Sequence, residues 1–209
     1  PASGKKNFDS LRFGCLYHEN ITVVEHPVKK AGVVHDDGNF KIEADFLEHG
    51  VDNIGWRVTE ADRVKFDKEK LKKQGISGPD VTLLKKEGFL KIDGKKIQLD
   101  AVSWVKKGEV LAVTIDSLPC PQIVKLAKDA QVFICESTYL ETEKELAHKY
   151  LHMTAGQAAS LAQEAGVKLL ILTHFSARYQ DLKAFKEEAE KIFPQVEVAE
   201  DFKRFKFPC

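Results

Sequence analysis

The feature that most constrains the fold is a run of short apolar segments separated by helical ones. Residues 110–115 (Val-Leu-Ala-Val-Thr-Ile) and 132–135 (Val-Phe-Ile-Cys) are strand-like, with a helical stretch over 121–130 between them. A second helix over 154–166 runs into 167–173 (Val-Lys-Leu-Leu-Ile-Leu-Thr), and a third over 181–192 leads to 196–199 and a strand-like tail. Strands this apolar are buried on both faces, and their alternation with helices predicts layered α/β architecture rather than a bundle. Upstream, 21–24 (Ile-Thr-Val-Val) and 40–47, which alternates apolar and polar residues, flank an Asp-Asp-Gly-Asn turn at 36–39. That pattern predicts a hairpin in the same sheet.

With 209 residues, 43% of them hydrophobic, the chain is long enough for one sizeable core. Lys+Arg 32 and Asp+Glu 32 cancel, so the overall charge does not announce a nucleic-acid binder, and any such surface must come from local clustering. Such a cluster exists. Between Arg57 and Gly108 the sequence becomes Lys-rich, with helical spacing over 64–74 ended by Gly75-Ile-Ser-Gly-Pro79. Lys65, Lys68, Lys70, Lys72 and Lys73 precede that turn, and Lys85, Lys86, Lys91, Lys95 and Lys96 follow it. Taken alone, a Lys-rich amphipathic helix is more often a solvated face than a binding surface. The segment reads as an excursion inserted at 60–108, and residues 1–20 read as a tail or linker. Cys15, Cys120, Cys135 and Cys209 form no CxxC pair, which argues against a thiolate zinc site or a disulfide scaffold and for a reducing, cytoplasmic setting. No apolar run approaches the roughly 18 residues of a membrane span, so no membrane association is expected.

Acidic and imidazole side chains sit where predicted strands give way to loops: Glu48 and His49, Asp116, Glu136, and His174. Sites collect at such strand ends in α/β folds. A lone histidine there is more often a hydrogen-bonded structural residue than a ligand, but four strand ends repeating the pattern weaken that reading. Imidazole and carboxylate together suit a borderline-soft ion such as Zn2+. His49, Asp116 and His174 form a partial shell, too few donors for two zinc coordination spheres.

Several strings carry a resemblance. His49-Gly-Val-Asp-Asn-Ile-Gly-Trp-Arg57, Gly78-Pro79, Asp116, Glu136-Ser-Thr138, His152-Met-Thr-Ala-Gly-Gln-Ala158, Thr173-His-Phe-Ser-Ala-Arg-Tyr179 and Ala199-Glu-Asp201 occur in the order found in ribonuclease Z. The chain resembles that family over nearly all of its length from Ile21 onward. The resemblance implies a metallo-β-lactamase αββα sandwich, here incomplete at the N-terminus, with an exosite arm at 60–108. It implies a zinc-dependent endoribonuclease that removes the 3′ trailer of precursor tRNA by metal-activated hydroxide attack. His49 and His174 would be terminal ligands of the two zinc ions, with Asp116 bridging them. His152 would serve the leaving oxygen and Glu136 would orient it. Arg178, Asp201, Gly78 and Pro79 would contact substrate, and the complete protein would be a homodimer.

The sequence also departs from the family. Its His-x-His-x-Asp-His motif is absent, and none of His18, His26 and His35 has the spacing to replace it. The first strands of the sheet are missing too, so apolar surface meant to be covered would be exposed. The expectation is therefore a fragment that alone binds zinc weakly and does not cleave RNA. A further departure is Cys135, where many relatives have histidine; it reads as a small buried hydrophobe. Two other readings stay open at this point: a hydrolase of small esters or phosphodiesters on the same fold, and a non-catalytic half that binds RNA or dimerises. The Lys-rich insertion argues against the first, and the survival of His49, Asp116, His152 and His174 argues against the second.

Overall fold

A computed structural model describes residues 1–14 and 22–208; Cys15, His18, Ile21 and Cys209 lie outside them. The chain divides into two compact units, Pro1–Glu60 with Glu109–Cys209, and Ala61–Gly108. In the first unit, α1 (Lys5–Phe13) precedes strands β1 (Gly32–Asp36), β2 (Phe40–Leu47) and β3 (Asn53–Glu60). The second unit holds β4 (Arg63–Phe66), α2 (Lys68–Lys73), α3 (Pro79–Glu87), β5 (Phe89–Ile92), β6 (Lys95–Gln98) and β7 (Ser103–Lys106). The first unit resumes with β8 (Val110–Thr114), α4 (Pro121–Ala127), β9 (Val132–Glu136), α5 (Lys144–Lys149), α6 (Ala155–Ala165), β10 (Leu169–Thr173), α7 (Lys183–Glu190) and β11 (Val196–Val198).

One sheet of seven strands organises the first unit, in the order β1-β2-β3-β8-β9-β10-β11. The four strands from β8 to β11 are parallel, and β1, β2 and β3 extend the sheet antiparallel. The main core lies between this sheet and helices α4, α6 and α7, with Phe133, Leu170, Leu172, Ile123 and Phe185 wholly buried. Alanine at 155, 158, 159, 162 and 165 lets α6 approach the strands closely. Its start is set by a capping box, in which Thr154 accepts from Gln157 N while Gln157 accepts from Thr154 N, and its end by Gly166 at φ 67°. Arg57 closes α4, its Nη1 donating to Leu126 O and Lys128 O at 2.7 Å each. The opposite face of the sheet presents Ile42, Phe46, Trp56, Leu111, Val113 and Ile134 half-buried.

The second unit has its own core of Leu71, Ile76, Leu84, Leu90, Ile97 and Val102. β4 pairs with β7 and β5 with β6, each antiparallel.

Four expectations need correction. The strand that pairs before the turn is β1 at Gly32–Asp36, not 21–24: residues 22–31 form no strand, and Pro27 supplies no N–H for a ladder there. The helix expected over 64–74 is a strand, β4, followed by α2. Asp67 makes the break, its carboxylate accepting from Glu69 N and Lys70 N as an N-cap. Residues 5–13, read as tail or linker, form α1, and residues 199–208 form no strand.

Gly55 of β3 tests how tightly the sheet meets α4. A Cβ there would stand 2.7 Å from Leu126 Cδ1 and 3.0 Å from Thr114 Cγ2. Gly55→Val should destabilise the chain by about 1–3 kcal/mol, read as a fall in thermal midpoint of roughly 2–4 °C per kcal/mol. An unchanged midpoint would show that α4 can yield.

Candidate metal centre

The parallel register brings the site together. Thr114 of β8 lies beside Cys135 of β9, Cys135 beside Leu172 of β10, and Glu136 beside Thr173. The residues that leave the carboxyl ends of these strands, Asp116, Glu136 and His174, therefore emerge at one edge of the sheet, where α/β folds place their ligands. His152 joins them from the segment that leads into α6. Donor atoms of Asp116, His152 and His174 all lie within 4.8 Å of one another.

The backbone is strained at this edge. Asp116 and His174 have φ of 52° and 59°, and Leu151, next to His152, has 61°. Non-glycine residues adopt this region only when their surroundings hold them there, and they concentrate at functional sites. The clamp at Asp116 is Asn53, whose Nδ2 donates to Ile115 O at 2.5 Å and Asp116 O at 2.7 Å.

Each imidazole is anchored through Nδ1. His49 Nδ1 lies 3.0 Å from Leu151 O, which can only accept, so the proton is on Nδ1. His152 Nδ1 lies 2.9 Å from Glu136 Oε1, and His174 Nδ1 lies 2.9 Å from Thr138 Oγ1. The rings stand side by side, with centroids 5.1 Å apart for His49 and His152 and 5.3 Å for His152 and His174. Glu136 is wholly buried and is the common anchor. Its Oε1 also accepts from Ser117 N at 2.6 Å, and its Oε2 from Thr138 Oγ1 at 2.6 Å and from Thr138 N and Met153 N at 3.3 Å.

These residues fit a divalent cation. Asp116 Oδ1 is a buried oxygen with no hydrogen bond, although His174 Nε2 is only 2.9 Å away and the side chain as a whole is 40% exposed. Two atoms so close without hydrogen-bond alignment are placed as two ligands of one ion would be. A neutral imidazole held through its other nitrogen is the usual form of a metal-binding histidine.

The expected site residues are thus partly brought together. The donor cluster contains His152 rather than His49, whose ring stands tilted beside that of His152 outside the cluster. Arg178 is engaged by Glu143 at 3.3 Å and by Ser176 Oγ, and lies over the ring of Tyr139 at 5.1 Å. Asp201 is exposed in a turn beyond β11. Gly78 and Pro79 belong to the second unit, where Gly78 takes φ 51° and Pro79 opens α3. Cys135 is wholly buried, contacts Thr114 Oγ1 and Met153 Sδ at 3.6 Å, and burial drives its thiol pKa up. Sequence reasoning assigned no role to Asn53, Ser117 or Thr138. Asn53 and Thr138 fall inside the quoted strings, but their partners are set by strand register.

No family model matches the chain. Among curated proteins it is 58% identical over 207 residues to ribonuclease Z of Protochlamydia amoebophila, covering 99% of this chain and 68% of that protein. The chain belongs to the ribonuclease Z family. Ribonuclease Z of Chlamydia caviae is 54% identical over 208 residues, again with 68% of its length covered, so the chain spans about two thirds of these relatives. The short form of human tRNase Z aligns with TM-score 0.52 at 23% identity, covering 85% of this chain and 47% of that one. YhfI from Bacillus subtilis, a metallo-β-lactamase fold protein, aligns with TM-score 0.52 at 18% identity, covering 79% and 49%. The fold is that of the metallo-β-lactamases, as expected. Membership assigns the chain to a family of metal-dependent endoribonucleases. Among the described residues no helix is long and apolar enough to cross a membrane.

Two outcomes follow from burial at this centre. Glu136→Gln places an amide donor against groups that already donate and should destabilise the chain by about 3 kcal/mol in urea unfolding; a wild-type midpoint would show that the network tolerates a neutral side chain. Cys135 should resist alkylation at pH 8 in the native chain and react only once urea unfolds it, as mapped by peptide mass spectrometry. Rapid native labelling would mean that the strand end opens.

Proposed function

We propose that the chain carries the leaving-group and trailer-side machinery of a zinc-dependent endoribonuclease that removes the 3′ trailer from precursor tRNA. The observation that carries this reading is the convergence of Asp116, His152 and His174 at one sheet edge, with Asp116 Oδ1 buried and unpartnered, in a chain whose relatives are named ribonuclease Z.

Asp116 and His174 would hold zinc, with His49 as a further ligand; three donors do not fill two tetrahedral spheres, and further ligands are needed for two ions. When bound, zinc supplies a nucleophile at neutral pH and offsets negative charge building on the phosphoryl group. His152 serves the leaving oxygen: its Nδ1–H is held by Glu136 Oε1, which directs Nε2 as the proton-handling atom and stabilises the imidazolium that donates to the departing 3′-oxygen of the tRNA. Arg178 suits a phosphate by forked hydrogen bonding once released from Glu143. Asp201 is a second substrate-contact candidate.

The Ala61–Gly108 unit would be an exosite that grips the tRNA, with Gly78 and Pro79 shaping its turn. Ten lysines at 65, 68, 70, 72, 73, 85, 86, 91, 95 and 96 supply phosphate contacts. The complete enzyme would be a cytoplasmic homodimer.

Two measurements test this. After dialysis against zinc-free buffer, the 209-residue chain should retain close to no zinc by inductively coupled plasma mass spectrometry; about two ions per chain would overturn the reading that this chain alone holds an incomplete site. Joined with the N-terminal third of a curated relative, the chain should cut a precursor tRNA to a 3′-hydroxyl and a 5′-phosphorylated trailer. Deleting 61–108 from that assembly should abolish tRNA cleavage but spare a small phosphodiester, and equal loss of both would overturn the exosite.

A further inference from the structure

We infer that Thr138 is a positioning residue that fixes the tautomer of His174, making Nε2 the free donor atom of that imidazole. The inference rests on the reading of His174 as a zinc ligand.

The number of protons available around Thr138 decides the tautomer. Thr138 Oγ1 lies 2.6 Å from Glu136 Oε2 and 2.9 Å from His174 Nδ1. A hydroxyl has one proton to give. Glu136 Oε2 also receives Thr138 N and Met153 N, and Oε1 receives Ser117 N. Backbone amides can only donate, so the glutamate is the acceptor in each contact, and the short Thr138 bond directs the hydroxyl proton to Oε2. The hydroxyl then meets His174 with a lone pair, which requires a proton on Nδ1. Nε2 is left with its lone pair, 2.9 Å from Asp116 Oδ1.

Thr138 is suited to hold this geometry. It is 6% exposed, and its β-branched side chain has few χ1 choices. Its carbonyl accepts from Ser176 N at 3.1 Å, tying the segment after β9 to the loop that carries His174. Glu136 thereby orients two imidazoles, His152 directly and His174 through one hydroxyl. A purely space-filling role would be met equally well by valine, which has the same shape and no hydroxyl.

The test compares the chain with its Thr138→Ser and Thr138→Val variants by long-range 1H–15N NMR of metal-free protein, with His174 assigned by its loss in His174→Ala. The wild type and Thr138→Ser should show Nδ1-protonated His174, and Thr138→Val should shift it toward Nε2 protonation. In direct zinc titration, which reads weak binding, Thr138→Val should bind zinc about 10–100-fold more weakly and Thr138→Ser within about threefold of wild type. Nε2-protonated His174 in the wild-type chain overturns the inference even if Thr138→Val fails to fold. So does a Thr138→Val variant with the wild-type tautomer and affinity. Unchanged zinc affinity in His174→Ala would instead overturn the reading of His174 as a ligand, leaving the tautomer result to stand separately.

Discussion

Five groups converge on the carboxylate of Glu136: Ser117 N, His152 Nδ1, Thr138 N, Thr138 Oγ1 and Met153 N. Burying an acidic side chain completely is costly unless every lone pair is used, and here the partners come from three separate parts of the chain. Ser117 adjoins Asp116, Thr138 holds His174, and Met153 adjoins His152. The carboxylate at the end of β9 is therefore the node through which the three members of the donor cluster are placed relative to one another. Low dielectric strengthens each of these bonds and raises the penalty for losing any one of them.

The parallel sheet makes this node possible. Matched register from β8 to β10 ends three strands at nearly one level, and just beyond β8 and β10 the backbone takes positive φ. Positive φ at Asp116 and His174 re-aims those side chains where a regular strand would alternate them across the sheet. The cost of that strain is offset locally: Asn53 binds both carbonyls at 115 and 116, and the 174–176 loop is tied back to Thr138. The core between the sheet and α4, α6 and α7 supplies the rigid floor.

Much of the fold was legible because burial on both faces leaves a signature in composition. The four strands from β8 to β11 and helices α4, α6 and α7 coincide with the predicted segments to within a few residues at their ends. The errors fell where local signals compete. At 64–74, a helical spacing of apolar residues concealed an N-cap at Asp67 that divides strand from helix. Before the 36–39 turn, the more apolar 21–24 drew the prediction away from exposed β1, which pairs because the turn places it beside β2.

The sequence by itself determined the alternation of buried strands with helices and the types of donor at the strand ends, because hydrophobic periodicity and residue chemistry are local properties. It also determined family membership, through strings long enough to be specific. Only the tertiary structure decided that His152 enters the donor cluster while His49 stays outside it, and that Thr138 and Asn53 hold the site. It alone showed that Asp116 Oδ1 is buried without a hydrogen bond. Those outcomes depend on strand register, on backbone strain at three residues and on which nitrogen of each imidazole is bound, all of them relations between distant parts of the chain that no local pattern encodes.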